Sequence, residues 1–170
     1  MNFLQSIWEL LGSLSLLHWL VVLAVAMLSG LVYVWRYLKL QYGFARNLKR
    51  RVYFLKTSSD KSLQTERDLI KNVGLFNVQD DIKDISKDLK TLQNLKSRAA
   101  FIVGYDTNYS LFEELIDEAR SKNIPVIIFA KQGEIQNQEH WKAFNGYIYC
   151  DVANTSNRLS IILLNILMIV

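Results

Sequence analysis

Between Leu10 and Trp35 the chain carries no Asp, Glu, Lys or Arg, and almost every side chain is apolar. A helix rises about 1.5 Å per residue, so this run would reach roughly 39 Å, enough to cross a bilayer core of about 30 Å with some tilt. Arg36, Lys39, Arg46, Lys49, Arg50 and Arg51 follow it, whereas the only side-chain charge before it is Glu9. Positive charge stays on the cytoplasmic side of a span, which predicts an outer amino terminus, a single pass through the inner (cytoplasmic) membrane and a cytoplasmic remainder. A secretory signal peptide is the competing reading. Against it stand the length of the run, the basic residues on its far side, and the bulky segment Leu31–Tyr37 where a small-residue cleavage site would lie.

The apolar run divides the 170 residues into an expected membrane anchor (1–38), a basic neck (39–51) and a cytoplasmic α/β domain (52–170). The anchor is expected to combine a short interfacial helix over Met1–Leu11, bearing Trp8, with one transmembrane helix. Tyr33, Trp35 and Tyr37 make an inner aromatic belt. About 120 residues remain for one modest core. Charge is unevenly shared: residues 1–51 hold six Lys/Arg against one Glu, and residues 52–170 hold 14 Lys/Arg against 15 Asp/Glu. The excess lies in the neck, where anionic headgroups would attract it. The folded part has no dense basic run, so a nucleic-acid polymer is not an expected partner. One cysteine, Cys150, excludes a disulfide framework, and His18 and His140 lie far apart without a Cys pair, so no metal site is expected.

From residue 52 onward, runs of two periods alternate. Val52–Lys56, Leu75–Val78, Ala99–Gly104, Ile124–Ala130 and Tyr147–Val152 read as strands. Helices are expected over Leu63–Asn72, Asp80–Lys96, Ser110–Lys122 and Glu139–Phe144, with a closing helix from Thr155. Gly74 ends the first of these. Asp80–Lys96 places Ile82, Ile85, Leu89, Leu92 and Leu95 at steps of three and four. Tyr147 and Tyr149 alternate with Ile148 and Cys150 as on a two-faced strand, with Cys150 a small core residue. Strands alternating with helices imply parallel pairing through right-handed crossovers, and hence a five-stranded, three-layer domain of flavodoxin-like or Rossmann-like type.

Ligands of such sheets bind beyond the carboxyl ends of the strands. The loops expected there contain Thr57, Ser58 and Ser59; Tyr105, Asp106, Thr107 and Asn108; Lys131 with Gly133; and Asn154, Thr155 and Ser156, followed by Arg158. Hydroxyls, amides and helix amino termini suit phosphate or ribose, and Lys131, Lys142 and Arg158 are candidates to meet phosphate. A nucleotide is the expected ligand, with no cofactor. There is no GxxxxGK[ST] and no GxGxxG, so ATP hydrolysis and dinucleotide redox chemistry have no support. His140-Trp141 is a candidate to stack on a base, although a plain surface helix is the simpler explanation.

The stretch Phe101–Phe129 (FIVGYDTNYSLFEELIDEARSKNIPVIIF) resembles TIR domains and the nucleoside 2-deoxyribosyltransferase group: a buried strand, a loop with Tyr, a helix opening with Glu-Leu, then Ile-Pro-Val into the next strand. The resemblance implies an N-glycosidic role for Glu114, the position matching those families' glutamate. Glu113 and Glu114 equally suit a helix's first turn through its dipole. The whole layout resembles small bacterial membrane-anchored antiviral effectors, including CRISPR-associated membrane proteins with a CARF domain. That resemblance implies a sensor of a nucleotide second messenger such as a cyclic oligoadenylate.

Within the span, Ser15, His18, Val22, Val25 and Ser29 share one helical face, and polar groups in a span usually face a bundle or a water-filled path. Ala26 and Gly30 permit close helix approach. The expected protein is therefore a closed homo-oligomer, such as a tetramer, that contacts membrane lipids, binds a nucleotide and opens a path through the membrane. The alternatives are a TIR-like NAD glycohydrolase or nucleoside-processing enzyme using Glu114, and a membrane exclusion or interaction protein without a small ligand.

Overall fold

The computed structural model of the chain describes residue 12 and residues 15–58, 62–93 and 98–169. The helix expected over Met1–Leu11, together with Ser59, Asp60 and Leu95, lies outside these. The chain divides into two units, Met1–Gly43 and Phe44–Val170. Helix α1 (Leu16–Leu48) supplies the described structure of the first and enters the second with its last residues. One stretch within it is long and apolar enough to cross a membrane, and none of that stretch is buried. Leu20, Leu28, Leu31, Val34 and Trp35 are all exposed. Length and composition of this kind serve a membrane anchor or a signal sequence. The segment expected as a neck continues the helix to Leu48, and only Lys49 and Arg50 turn the chain into the first strand.

In the second unit, five strands form one parallel sheet in the order β2-β1-β3-β4-β5. They are β1 (Arg51–Lys56), β2 (Asn77–Asp84), β3 (Ala99–Gly104), β4 (Val126–Phe129) and β5 (Cys150–Ala153). The helices are α2 (Gln64–Val73), a single turn α3 (Lys90–Gln93), α4 (Phe112–Ser121), α5 (Gln138–Asn145) and α6 (Ser156–Ile169). This is the flavodoxin-like or Rossmann-like α/β fold.

Alternation along the strands builds the two core layers. Tyr53, Leu55, Phe101, Val103, Val126 and Ile128 face α4 and α5, where Phe112, Leu115, Ile116 and Phe144 meet them. Val52, Phe54, Ala100, Ile102 and Ile127 face the other way, onto Ile70 of α2 and Leu159, Leu163 and Leu167 of α6. Strands β1, β3 and β4 are buried on both faces, which explains their continuous apolar runs.

The helix expected over Asp80–Lys96 is not formed. Residues 77–84 are the edge strand β2, 85–89 are irregular, and only 90–93 are helical. A bulge explains the misleading spacing. Val52 pairs with Val78 but Phe54 pairs with Ile82, so β2 carries two extra residues there. Val78 and Ile82, four apart, therefore reach the same core layer, while Ile85, Leu89 and Leu92 join the opposite one. Strand and loop together reproduce steps of three and four. The short strand expected over Leu75–Val78 is this same β2, displaced toward the carboxyl end.

The last strand is also displaced, from Tyr147–Val152 to Cys150–Ala153. Residues 147–149 form a turn in which the Tyr147 hydroxyl donates to the Ile124 and Ala119 carbonyls at 2.8 and 3.2 Å, while Ile148 faces solvent. Leu63 holds the position before α2, buried and without a side-chain cap. Gly74 ends α2 as expected, at φ 72°, a left-handed conformation that glycine adopts without a Cβ clash.

Candidate functional site

Parallel pairing aligns the strand ends, so every loop after a strand opens on the same edge of the sheet. At β4 and β5 the strands stay paired to the last residue, where the Ala130 amide donates to the Ala153 carbonyl at 3.0 Å. Beyond them lies a cavity of about 220 Å³ lined chiefly by Lys131, Gly133, Trp141, Asn154 and Arg158. Each is positioned locally. The Lys131 amide donates to the Glu134 carboxylate at 2.7 Å, closing a turn in which Gly133 takes φ 76°. The Asn137 side chain caps α5 by accepting from the Glu139 amide at 2.9 Å. One turn on, the Trp141 indole N–H donates to the Ile135 carbonyl at 3.0 Å, fixing a ring that packs on Phe144 at 4.7 Å yet stays 41% exposed.

Thr155 starts α6. Its hydroxyl accepts from the Arg158 amide at 3.3 Å and its carbonyl from the Leu159 amide at 3.0 Å. Arg158 therefore stands in the first turn, which has no acidic residue. A helix amino terminus carries about half a positive charge, and a cation beside it is unfavourable. With Lys131 on the facing loop, two cations and a helix terminus converge on one opening. The arrangement suits an anion, with Trp141 offering a stacking surface and Asn154 an amide.

The sites expected from the sequence divide into three groups. Lys131, Asn154 and Arg158 line the cavity together, and Trp141 joins them from α5. Thr107, on the β3–α4 loop, reaches the neighbouring loop by donating to the Glu134 carbonyl at 3.3 Å. Ser156 leads α6 and donates to Glu66 of α2 at 3.5 Å.

A second group is taken up by the fold. Strand order reverses between β1 and β3, and there Thr57 is buried with its hydroxyl donating to the Gly104 carbonyl at 2.6 Å. Leu63 packs so closely that a Cβ on Gly104 would lie 3.2 Å from it. Ser58 stands beside Thr57, half-buried. Tyr105 is fully buried, its hydroxyl 3.0 Å from His140 Nδ1. His140 stacks on Phe112 at 4.3 Å, and burial holds its imidazole below the usual histidine range, against the weaker upward pull of Glu113 and Glu139. Asp106 closes the β3–α4 turn by accepting from the Asn108 amide at 2.9 Å.

The third group stands apart from the cavity. Glu114 is exposed in the first turn of α4 and is absent from the cavity lining. Its charge acts on Tyr109, whose buried hydroxyl donates to the Ile85 carbonyl at 2.7 Å and is pushed well above the usual phenol range, chiefly by burial. Just before α1, the Ser15 hydroxyl pairs with His18 Nδ1 at 2.6 Å, and within the helix Ser29 donates to the Ala26 carbonyl at 2.9 Å. Among the described residues no cluster of His, Cys, Asp and Glu is suited to hold a metal.

Trp141 and Arg158 carry separate signals in the sequence, an aromatic ring beside a histidine and a cation in the opening turn of a helix, and only the fold brings them to one cavity.

Compared with known protein families, with curated proteins and with solved structures, the chain matches none.

Proposed function

We propose that this chain is a membrane-anchored sensor that binds a nucleotide at the carboxyl ends of β4 and β5. The observation that carries the reading is Arg158. It occupies the first turn of α6, where it is electrostatically disfavoured, and lines the same cavity as Lys131 and Trp141. A bound phosphate relieves that conflict, and a base on Trp141 completes a nucleotide's two recognisable parts.

The cavity's size bears on the ligand. About 220 Å³ falls below the roughly 300 Å³ at which small-molecule pockets begin. One copy thus encloses part of a nucleotide, and a second copy supplies the remaining walls. A cyclic oligonucleotide, such as a cyclic oligoadenylate, has repeated phosphates and bases to share between symmetry-related copies. The apolar, unburied stretch of α1 is the membrane anchor in this reading, with the basic residues after Trp35 on the cytoplasmic side. The ligand favours one arrangement of the copies over another, repacking their membrane helices and opening a path for ions. Antiviral defence is the biological setting that such a layout serves.

Calorimetric titration of the full chain in detergent with cyclic oligoadenylates, cyclic dinucleotides and NAD tests this. Binding of a cyclic nucleotide is expected, with at least about a tenfold loss in Arg158→Gln, since hydrogen bonds to charged groups contribute about 1.5–3 kcal/mol. Glu114→Gln should leave it unchanged. No binding by any member of the panel would remove the reading.

A further inference from the structure

Arg46 and Asn47 lie in the last turn of α1, and Arg50 lies in the short connection to β1. Arg98 immediately precedes β3. Because β1 and β3 pair from their first residues, with the Arg51 amide donating to the Arg98 carbonyl at 3.3 Å, these two entrances are neighbours. The guanidinium-bearing residues Arg46, Arg50 and Arg98, with Asn47, line a second cavity of about 220 Å³. It opens at the amino-terminal edge of the sheet, opposite the edge that carries Lys131 and Arg158.

Three cations around one small space repel each other. Burial, then Arg46 and Arg98, pull the Arg50 guanidinium below its usual range, with Tyr147 and Tyr149 opposing. Among the described residues no carboxylate forms an ion pair with Arg46 or Arg98. The carboxyl end of α1 contributes about half a negative charge, which offsets only part of the charge of Arg46 and Arg98. Asn47 is buried and adds an amide to the lining.

We infer that Arg46, Arg50 and Arg98, with Asn47, form a phosphate-binding site at the amino-terminal edge of the sheet. Guanidinium forks match phosphate oxygens two at a time, and the negative charge of a phosphate, single on a diester headgroup and up to double on the free ion, reduces the repulsion that gathers here. The phosphate belongs either to a phospholipid headgroup or to a soluble ion. The site is independent of the nucleotide reading and lies at the other end of the strands.

The test uses the full chain in neutral detergent. Its unfolding temperature is followed against inorganic phosphate and against short-chain phosphatidylglycerol, with phosphatidylcholine as a weakly binding comparison. Native chain is expected to gain stability, and Arg46→Gln/Arg98→Gln, which alters two exposed side chains, to bind about tenfold more weakly or worse. Lys49→Gln, an exposed neighbour outside the cavity, removes one charge and should change affinity by less than about twofold. Stabilisation by phosphatidylglycerol alone assigns the site to a headgroup, by inorganic phosphate alone to a soluble source, and by both to the phosphate group itself. Each of these supports the site when the double variant loses the effect. No stabilisation by either probe, or equal losses in Lys49→Gln and the double variant, overturns it. Should the double variant not fold, Arg46→Lys/Arg98→Lys carries the test, because lysine keeps the charge and loses the fork.

Discussion

Arg158 stands where a helix least tolerates a cation, and its removal should help the fold while harming the site. Arg158→Asp is expected to raise the stability of the ligand-free chain by about 0.5–1 kcal/mol through the dipole of α6, and to abolish the nucleotide binding proposed above. Thermal unfolding and titration of the same preparation check both halves. His140 behaves differently. Burial disfavours its charged form, so the unfolded chain takes up a proton near pH 6.5 while the folded chain does so only at lower pH. The stability contributed by neutral imidazole is complete above about pH 6.5 and declines as pH falls below it. Unfolding temperature should therefore drop between pH 7.5 and 5.5. His140→Phe, which keeps a ring against Phe112, should flatten that slope. Tyr147→Phe removes a donor to two buried carbonyls and should cost about 1–3 kcal/mol in denaturant unfolding. Residues of the site were legible in unequal measure. Lys131, Asn154 and Arg158 were readable because open α/β sheets present their loops at one edge. Thr57 and Tyr105 looked equally suited, yet their hydroxyls are taken up by Gly104 and His140, and such internal pairing depends on contacts distant in sequence.

Elements with one clear period were legible almost to the residue. Ala99–Gly104 is the strand expected, because both of its faces are buried and its apolar run has no competing helical reading. Helices α2 and α4 carry strong polar and apolar faces, and Gly74 marks the end of the first. Gly74→Ala forces a side chain into the left-handed region and should destabilise the chain by about 1 kcal/mol, read as a lowered midpoint in urea. β2 was misread because a bulge replaces the two-residue period with steps that a helix also makes. The loss of Tyr147–Tyr149 from the final strand has a similar origin. Tyr147 turns into the core to reach the end of α4, while Ile148 is left exposed, and alternation alone resembles a strand.

At the scale of the whole molecule, the apolar helix and the α/β unit place opposite demands on solvent. Most of α1 exposes apolar side chains, which have no counterpart in water and a natural one in lipid. The full chain is expected in the membrane fraction after an alkaline carbonate wash, and a chain lacking residues 1–38 in the soluble fraction. Recovery of the full chain without lipid or detergent would contradict the anchor. This division was visible from the uncharged run alone, whereas the arginine-lined cavity was not. Arg98 lies far along the chain from Arg46 and becomes its neighbour only once β1 and β3 pair.

The sheet's two margins carry a further consequence. One is β2, bulged and bearing Asp80, Asp81, Lys83 and Asp84; the other is β5, four residues long. Wherever copies crowd together, as on a shared surface, unprotected strand margins would zip into continuous ribbons. An irregular acidic border on one flank and a stub on the other frustrate that route to aggregation. High local density is then compatible with discrete, reversible association.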